Sequence, residues 1–155
     1  MVSPVEKMLA TMPAKTVLQE ARFFSGLNPE QLARVAEISE VKQLDGGSQI
    51  YTLGHPAHEF FVLIDGVVRF NLTLGNRQAS AGEFIGRGEV FGWAALIEGA
   101  QRRIATAACV TPCTVLSVEG DRLLELMEED NGIGYQLMKQ LSILITSKMT
   151  AFAAG

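Results

Sequence analysis

The sequence predicts a mainly β domain framed by helical segments, and three observations carry that expectation. Ten of its fifteen glycines fall between positions 46 and 99, a density that calls for many tight turns. Within that stretch the apolar residues come in short, strand-sized runs. On both sides of it they recur at steps of three and four, the period of a helix with one buried face. The expected organisation is a single domain: an N-terminal helical segment at 1–40, a β unit at 41–120 and C-terminal helices at 121–155. At 155 residues the chain is long enough to bury a core without staples.

In the first segment Val5, Met8, Leu9 and Met12 mark a short amphipathic stretch, followed by Thr16, Val17 and Leu18 and by the pair Phe23 and Phe24. Asn28 ahead of Pro29 reads as a helix start, with a capping residue before a proline that needs no N–H partner. Leu32, Val35, Ala36 and Ile38 give that helix its buried stripe. In the β unit the clearest hairpin signal is the apolar run 60–64, then Asp65-Gly66, then 67–74. Asp-Gly is the preferred two-residue turn because it accepts positive φ. Val68, Phe70, Leu72 and Leu74 alternate with Arg69, Asn71 and Thr73, so one face of that strand packs inward. Further strands are expected at 104–109 and 114–118.

The last segment is helical again. Residues 122–129 carry Leu123, Leu126 and Met127 inward and leave Glu125, Glu128, Glu129 and Asp130 as a solvated acidic face. From Asn131 the chain can run helical to about Phe152, a span of roughly 30 Å at 1.5 Å per residue. Leu137, Leu141, Leu144, Ile145, Met149 and Phe152 recur along it as an apolar stripe. Little chain remains to cover that stripe, so the expectation is a homodimer through this helix, with packing back onto the chain's own β unit as the alternative.

Composition narrows the function. The net charge of −4 and the lack of any basic cluster beyond Arg102-Arg103 give no electrostatic footprint for a nucleic-acid backbone, so no DNA binding by this chain alone is expected. No run approaches the roughly 18 apolar residues of a membrane span, and the N-terminus lacks the basic start and apolar core of a secretory signal. A cytoplasmic location, without membrane contact, is the expectation. Cys109 and Cys113 read as buried reduced thiols. His55 and His58 read as exposed loop histidines, without a third ligand for a metal. No nucleophile motif or phosphate-binding Gly-Lys-Ser/Thr loop is assembled, so enzymatic activity is not expected.

The candidate chemistry lies in residues 88–106, Gly-Glu-Val-Phe-Gly-Trp-Ala-Ala-Leu-Ile-Glu-Gly-Ala-Gln-Arg-Arg-Ile-Ala-Thr. Gly92 opens a short apolar helical turn whose backbone N–H groups can face an anion with no side chain in the way. Ten residues after Trp93 comes Arg103, whose planar fork of donors suits a phosphate oxyanion. The candidate ligand-binding residues are Gly92, Trp93, Ala94, Ala95, Arg103, Ile104 and Thr106; no catalytic or metal-ligating residue is expected.

The arrangement Phe-Gly-x-x-Ala-Leu, a short loop, then Arg-x-Ala-Thr resembles the cyclic-nucleotide-binding domain of catabolite-activator-type (Crp/Fnr) regulators and protein kinase A regulatory subunits. Two further phrases fit in register: Phe-Phe-Ser-Gly-Leu-Asn-Pro-Glu-Gln-Leu at 23–32, and the series Gly47, Ile50, Tyr51, Gly54, Ala57, Phe60, Val62, Leu63, Gly66, Val68. The resemblance, which covers residues 23–152, implies a β-roll (a double-stranded, jelly-roll-like β-helix) with flanking helices and a long C-terminal helix. It also implies a regulatory domain that senses a phosphate-bearing small molecule, with cyclic AMP or cyclic GMP as the possible ligand, and signals through that helix. No other cofactor is implied. A transcription regulator of this kind continues into a helix-turn-helix module of about 60 residues, and the sequence here stops at Gly155, so the expectation is a sensor domain without that module, either acting alone or cut from a longer chain.

Two positions depart from the family pattern. A glutamate that bonds the ribose 2′-hydroxyl normally follows the Phe-Gly pair, and Trp93 stands there. Losing a hydrogen bond to a charged group, worth roughly 1.5–3 kcal/mol, weakens nucleotide affinity by about 10- to 100-fold. Lys148 and Met149, near the base-capping position, do not match either. The competing expectation is therefore a ligand-free roll used for dimerisation or protein interaction, with Trp93 blocking the sugar site and Arg103 paired to a local carboxylate.

Overall fold

The computed structural model describes residue 4 and residues 13–74, 77–97 and 102–154, the side chains at 72–84 and 148–154 excepted. The expected amphipathic stretch at Val5, Met8, Leu9 and Met12 lies outside the described residues. So do the side chains of Leu72, Leu74, Lys148, Met149 and Phe152. In chain order the elements are α1 (Ala14–Glu20), a 3-10 turn (Arg22–Phe24), α2 (Pro29–Glu37), β1 (Ser39–Leu44), β2 (Gln49–Tyr51), β3 (Glu59–Asp65), β4 (Val68–Leu74), β5 (Arg77–Ile85), β6 (Val90–Phe91), a second 3-10 turn (Trp93–Leu96), β7 (Thr106–Cys109), β8 (Cys113–Glu119), α3 (Gly120–Glu129) and α4 (Asn131–Ala154).

Helix α2 starts where its capping chemistry dictates. The Gln31 N–H donates to Asn28 Oδ1 at 2.8 Å and the Asn28 N–H donates to Gln31 Oε1 at 3.0 Å, a reciprocal capping box with Pro29 in the first turn. Leu32 and Val35 are buried while Ala36 and Ile38 pack half-buried against the same core. Strand β1 opens directly behind it at Ser39, just before the boundary expected from composition.

Two four-stranded antiparallel sheets form the roll, in the orders β1-β8-β3-β6 and β2-β7-β4-β5. The expected Asp65-Gly66 hairpin is corrected here. The turn and both strands are present, and Gly66 adopts φ 105°, but β3 and β4 lie in different sheets. Strand β3 pairs with β8 and β6, while β4 pairs with β5 and β7. The Asp-Gly pair specifies a reversal of the chain, whereas pairing is decided by which edges need partners, and a strand as buried as β3 needs them on both sides.

Period-two alternation divides the core. Phe60, Val62 and Ile64 of β3, with Leu116 and Val118 of β8, face Leu18, Phe24, Val35, Leu123, Ile133 and Leu137 of the helices. Phe61 and Leu63 of β3 and Cys113 and Val115 of β8 turn the other way into the roll, against Val68, Phe91, Ala107 and Cys109.

The apolar stripe of α4 is also corrected. Ile133, Leu137 and Leu141 are 0%, 1% and 3% exposed, so this part of the stripe packs back on its own chain and is not available to a partner. Leu144 and Ile145 border the same core, half-buried. The helix presents a different set outward: Tyr135, Met138 and Ile143 are exposed. The acidic face ending α3 is solvated as expected, with Glu125, Glu128 and Glu129 exposed; Glu129 Oε2 accepts from Arg34 Nη2 at 2.8 Å and Asp130 Oδ2 from Gln31 Nε2 at 3.3 Å. Among the described residues no helix is long and apolar enough to cross a membrane.

Candidate anion site

The 3-10 turn that follows β6 begins at Gly92, which adopts φ 80° and ψ 30°. A side chain is excluded there twice over. The left-handed backbone disfavours one, and a Cβ would lie 3.0 Å from Arg103 Nη1, 3.0 Å from Phe61 and 3.2 Å from the Glu59 carbonyl. Glycine is thus what lets the Arg103 guanidinium lie against the backbone.

Arg103 comes in from the segment ahead of β7, held by its own backbone: its N–H donates to the His55 carbonyl at 2.9 Å and its carbonyl accepts from the Gly54 N–H at 2.8 Å. The side chain turns inward and is 5% exposed. Nη1 donates to the Gly92 carbonyl at 2.9 Å and Nη2 to the Glu59 carbonyl at 2.7 Å. Nε is buried and has no hydrogen-bond partner. The guanidinium carbon lies 4.1 Å above the Tyr51 ring and 5.8 Å from that of Phe61, within cation–π range of both. Below them Tyr51, Phe61, Phe91 and Phe70 form a continuous aromatic floor, with Phe61 stacked on Phe91 at 5.0 Å.

Among the described residues no carboxylate forms an ion pair with Arg103. The expected pairing with a local carboxylate is replaced by two backbone carbonyls. Glu59, whose carbonyl serves Arg103, sends its carboxylate to the other side of β3, where Oε2 accepts from Ser117 Oγ and from Lys42 Nζ at 3.2 Å. Burial opposes ionisation of Glu59, but the Ser117 and Lys42 hydrogen bonds and the charges of Lys42 and Arg103 outweigh it, and the carboxyl is held below its ordinary range. Burial also draws the Arg103 guanidinium below its usual range, against the opposing pull of Tyr51 and Glu59; it remains a cation at any ordinary pH.

The hollow in front of Arg103 is lined by Tyr51, Gly92, Trp93, Ala94, Arg103, Ile104 and Ala105 and has a volume of about 20 Å³. That is room for about one water molecule.

A family model, the cyclic nucleotide-binding domain, matches residues 41–130. The chain belongs to this family. Among solved structures, the domain is similar to a cyclic nucleotide-binding-type protein of Geobacter metallireducens at 26% identity, with a TM-score of 0.74 over 89% of this chain and 98% of that one. It is similar to the sensor domain of the transcriptional regulator DNR of Pseudomonas aeruginosa at 25% identity, with a TM-score of 0.70 over 83% and 91%. It also shares its fold with the regulatory domain of Toxoplasma gondii PKA, solved with cAMP, at 19% identity and a TM-score of 0.72 over 89% and 51%. The curated protein Glutaminase 2 of Bradyrhizobium diazoefficiens is 25% identical over 134 residues, 86% of this chain. The match spans only 20% of the length of that relative. These regulators and the family model make the β-roll a regulatory fold.

Of the candidate ligand-binding residues in the domain, Gly92, Trp93, Ala94, Arg103 and Ile104 meet at the hollow. Ala95 and Thr106 do not line it. Ala95 is buried against Ala57 and Ala94, and a Cβ on Gly120 would come within 2.9 Å of its carbonyl, so this residue marks where the turn meets α3. Thr106 Oγ1 accepts from the Leu53 N–H at 3.0 Å and fastens the segment after β2. The turn itself has four residues, and within it the Ala95 N–H donates to the Gly92 carbonyl at 3.3 Å. It is too short to build a helix dipole, and the positive charge of the site comes from Arg103. Trp93 is half-buried and packs against the helix-side core as well as bordering the hollow.

Sequence reasoning missed Tyr51 as a site residue. It is far from Arg103 in sequence, and the pairing of β2 with β7 and the backbone bonds of Arg103 to Gly54 and His55 bring the two together. Cys109 and Cys113 are free and buried. Burial, and then the neighbouring Cys109, push the Cys113 thiol up to about 11. Among the described residues no His, Cys, Asp or Glu group is arranged to hold a metal, and His55 and His58 are exposed.

Proposed function

We propose that this domain senses a phosphate-bearing or similar small anion at Arg103 and passes binding on to its C-terminal helices. One observation carries the reading: a guanidinium that is 5% exposed, has no ion-pair partner among the described residues and leaves Nε without an acceptor, at the edge of a hollow. Burying a charge is costly unless it is paired, and an arriving oxyanion supplies that pairing. The fold offers a route outward. The Trp93–Leu96 turn packs on α3, α3 packs on α4, and Gly120 touches both the turn and the His58 carbonyl. A ligand shifts α4 only to the extent that it binds one placement of the turn better than another. A cyclic nucleotide is the ligand that family membership suggests, and a homodimer through the exposed face at Tyr135, Met138 and Ile143 is the assembly that fits.

The volume of about 20 Å³ and the position of Trp93 on the wall favour a second reading, a closed roll that serves as an interaction module. Titration separates the two. Trp93 is the only tryptophan in the chain, so its fluorescence reports directly on the hollow. Saturable binding of cyclic AMP, cyclic GMP, a cyclic dinucleotide or inorganic phosphate, lost in Arg103→Ala, supports the sensor. No response to any of them, together with cyclic AMP binding created by Trp93→Glu and measured by calorimetry because that variant has no tryptophan, supports the closed roll.

A further inference from the structure

Anion binding at Arg103 requires more than the arginine: the guanidinium must be held where an anion can meet it. Its closest contacts come from three sources. Two are backbone carbonyls, fixed by the course of β3 and of the Gly92 turn. The third is a side chain, Tyr51. Its ring lies flat beneath the guanidinium at 4.1 Å and is itself fixed against Phe61 and Phe91 at 6.1 and 6.3 Å. The ring supports the cation from below.

We propose that Tyr51 is the positioning residue of the anion site: its ring presents the Arg103 guanidinium to the hollow. This rests on the anion-sensing reading above. It leads to an asymmetry that a residue serving only to fill the core would not produce. Tyr51→Phe keeps the aromatic support, so anion affinity stays within about 2-fold of the parent. Tyr51→Leu keeps apolar bulk and removes the π face, so affinity falls, by a factor of roughly 3 to 30.

The experiment is a fluorescence titration of the parent chain, Tyr51→Phe and Tyr51→Leu with inorganic phosphate and with cyclic AMP, alongside nuclear magnetic resonance of the Arg103 Nε–H. The Nε–H signal of the parent and of Tyr51→Phe is expected upfield of ordinary arginines through the ring current, and that of Tyr51→Leu near the ordinary position. Affinity kept in Tyr51→Phe and lowered in Tyr51→Leu, with this spectral pattern, supports the proposal. Equal affinities in all three proteins, or an unshifted Nε–H in the parent, overturn the role of Tyr51 and leave the sensor reading standing. Binding in none of the three overturns the sensor reading and this proposal with it. Should Tyr51→Leu not fold, the Nε–H position in the parent and in Tyr51→Phe decides.

Discussion

Strand β3 separates two polar sites that share one residue and treat charge in opposite ways. On one side the Glu59 carbonyl accepts from Arg103 above a hollow of about 20 Å³. On the other the Glu59 carboxylate joins Ser117 and Lys42 in an open cleft of about 390 Å³ that also borders Glu37, Glu40, Glu119 and Arg122. The cleft is far larger, yet its central charges are paired and half-exposed, which leaves them little to gain from a ligand. The hollow is small and holds a buried cation with carbonyls in place of a counter-ion. Uncompensated charge, more than volume, marks the place where binding an anion changes the free energy.

That contrast can be broken most directly at its two ends. Arg103→Ala is expected to lower anion affinity by about 100-fold, the worth of a charge-assisted contact, in a titration where Glu59→Gln changes it by no more than about 3-fold. Equal effects from both would erase the distinction. Next in size is Gly92→Ala, expected to cost about 2–3 kcal/mol in denaturant unfolding, because it combines positive φ with a clash against the guanidinium, Phe61 and the Glu59 carbonyl.

Titration sharpens the comparison further. Burial raises the Tyr51 phenol to about 12 from its ordinary 10, with Arg103 and the Gly92 backbone opposing. The folded chain therefore keeps a proton that the unfolded chain gives up. The stability from this group is complete below pH 10 and is lost as pH rises through about 12, by on the order of 2 kcal/mol, and Tyr51→Phe flattens the alkaline limb. Glu59 behaves in the opposite sense. Its carboxyl is held below 4.5, so its contribution is present above that pH and fades as pH falls through the lowered value. Glu59→Gln is expected to reduce the acid dependence and to cost about 1 kcal/mol near neutrality.

The smallest effect is expected next door to the largest. Arg102 is exposed and donates from Nη1 to the Gly54 carbonyl at 2.8 Å, and Arg102→Ala should change stability by less than about 0.5 kcal/mol and leave anion affinity unchanged. A loss of affinity comparable to that of Arg103→Ala would mean that the wrong arginine has been assigned to the hollow.

The amino-acid sequence by itself determined what depends on local chemistry. Asn28-Pro29 fixes the start of α2, the Asp65-Gly66 pair fixes a reversal, Gly92 opens the short turn, and alternation along the strands assigns their faces. Each is a matter of neighbours within a few residues, where backbone sterics, capping bonds and periodicity act. The placing of Arg103 among the candidate site residues was legible in the same way, from its spacing after the Phe91-Gly92 pair. What was not legible depends on residues far apart in the chain. The sequence could not say that β3 and β4 belong to different sheets, that Leu137 and Leu141 are covered by their own chain, or that Tyr51 lies beneath Arg103. Those outcomes were decided by tertiary structure, because hydrogen-bond partners for a buried strand and cover for an apolar helix face are found wherever the closed roll brings them, and no local pattern records that choice.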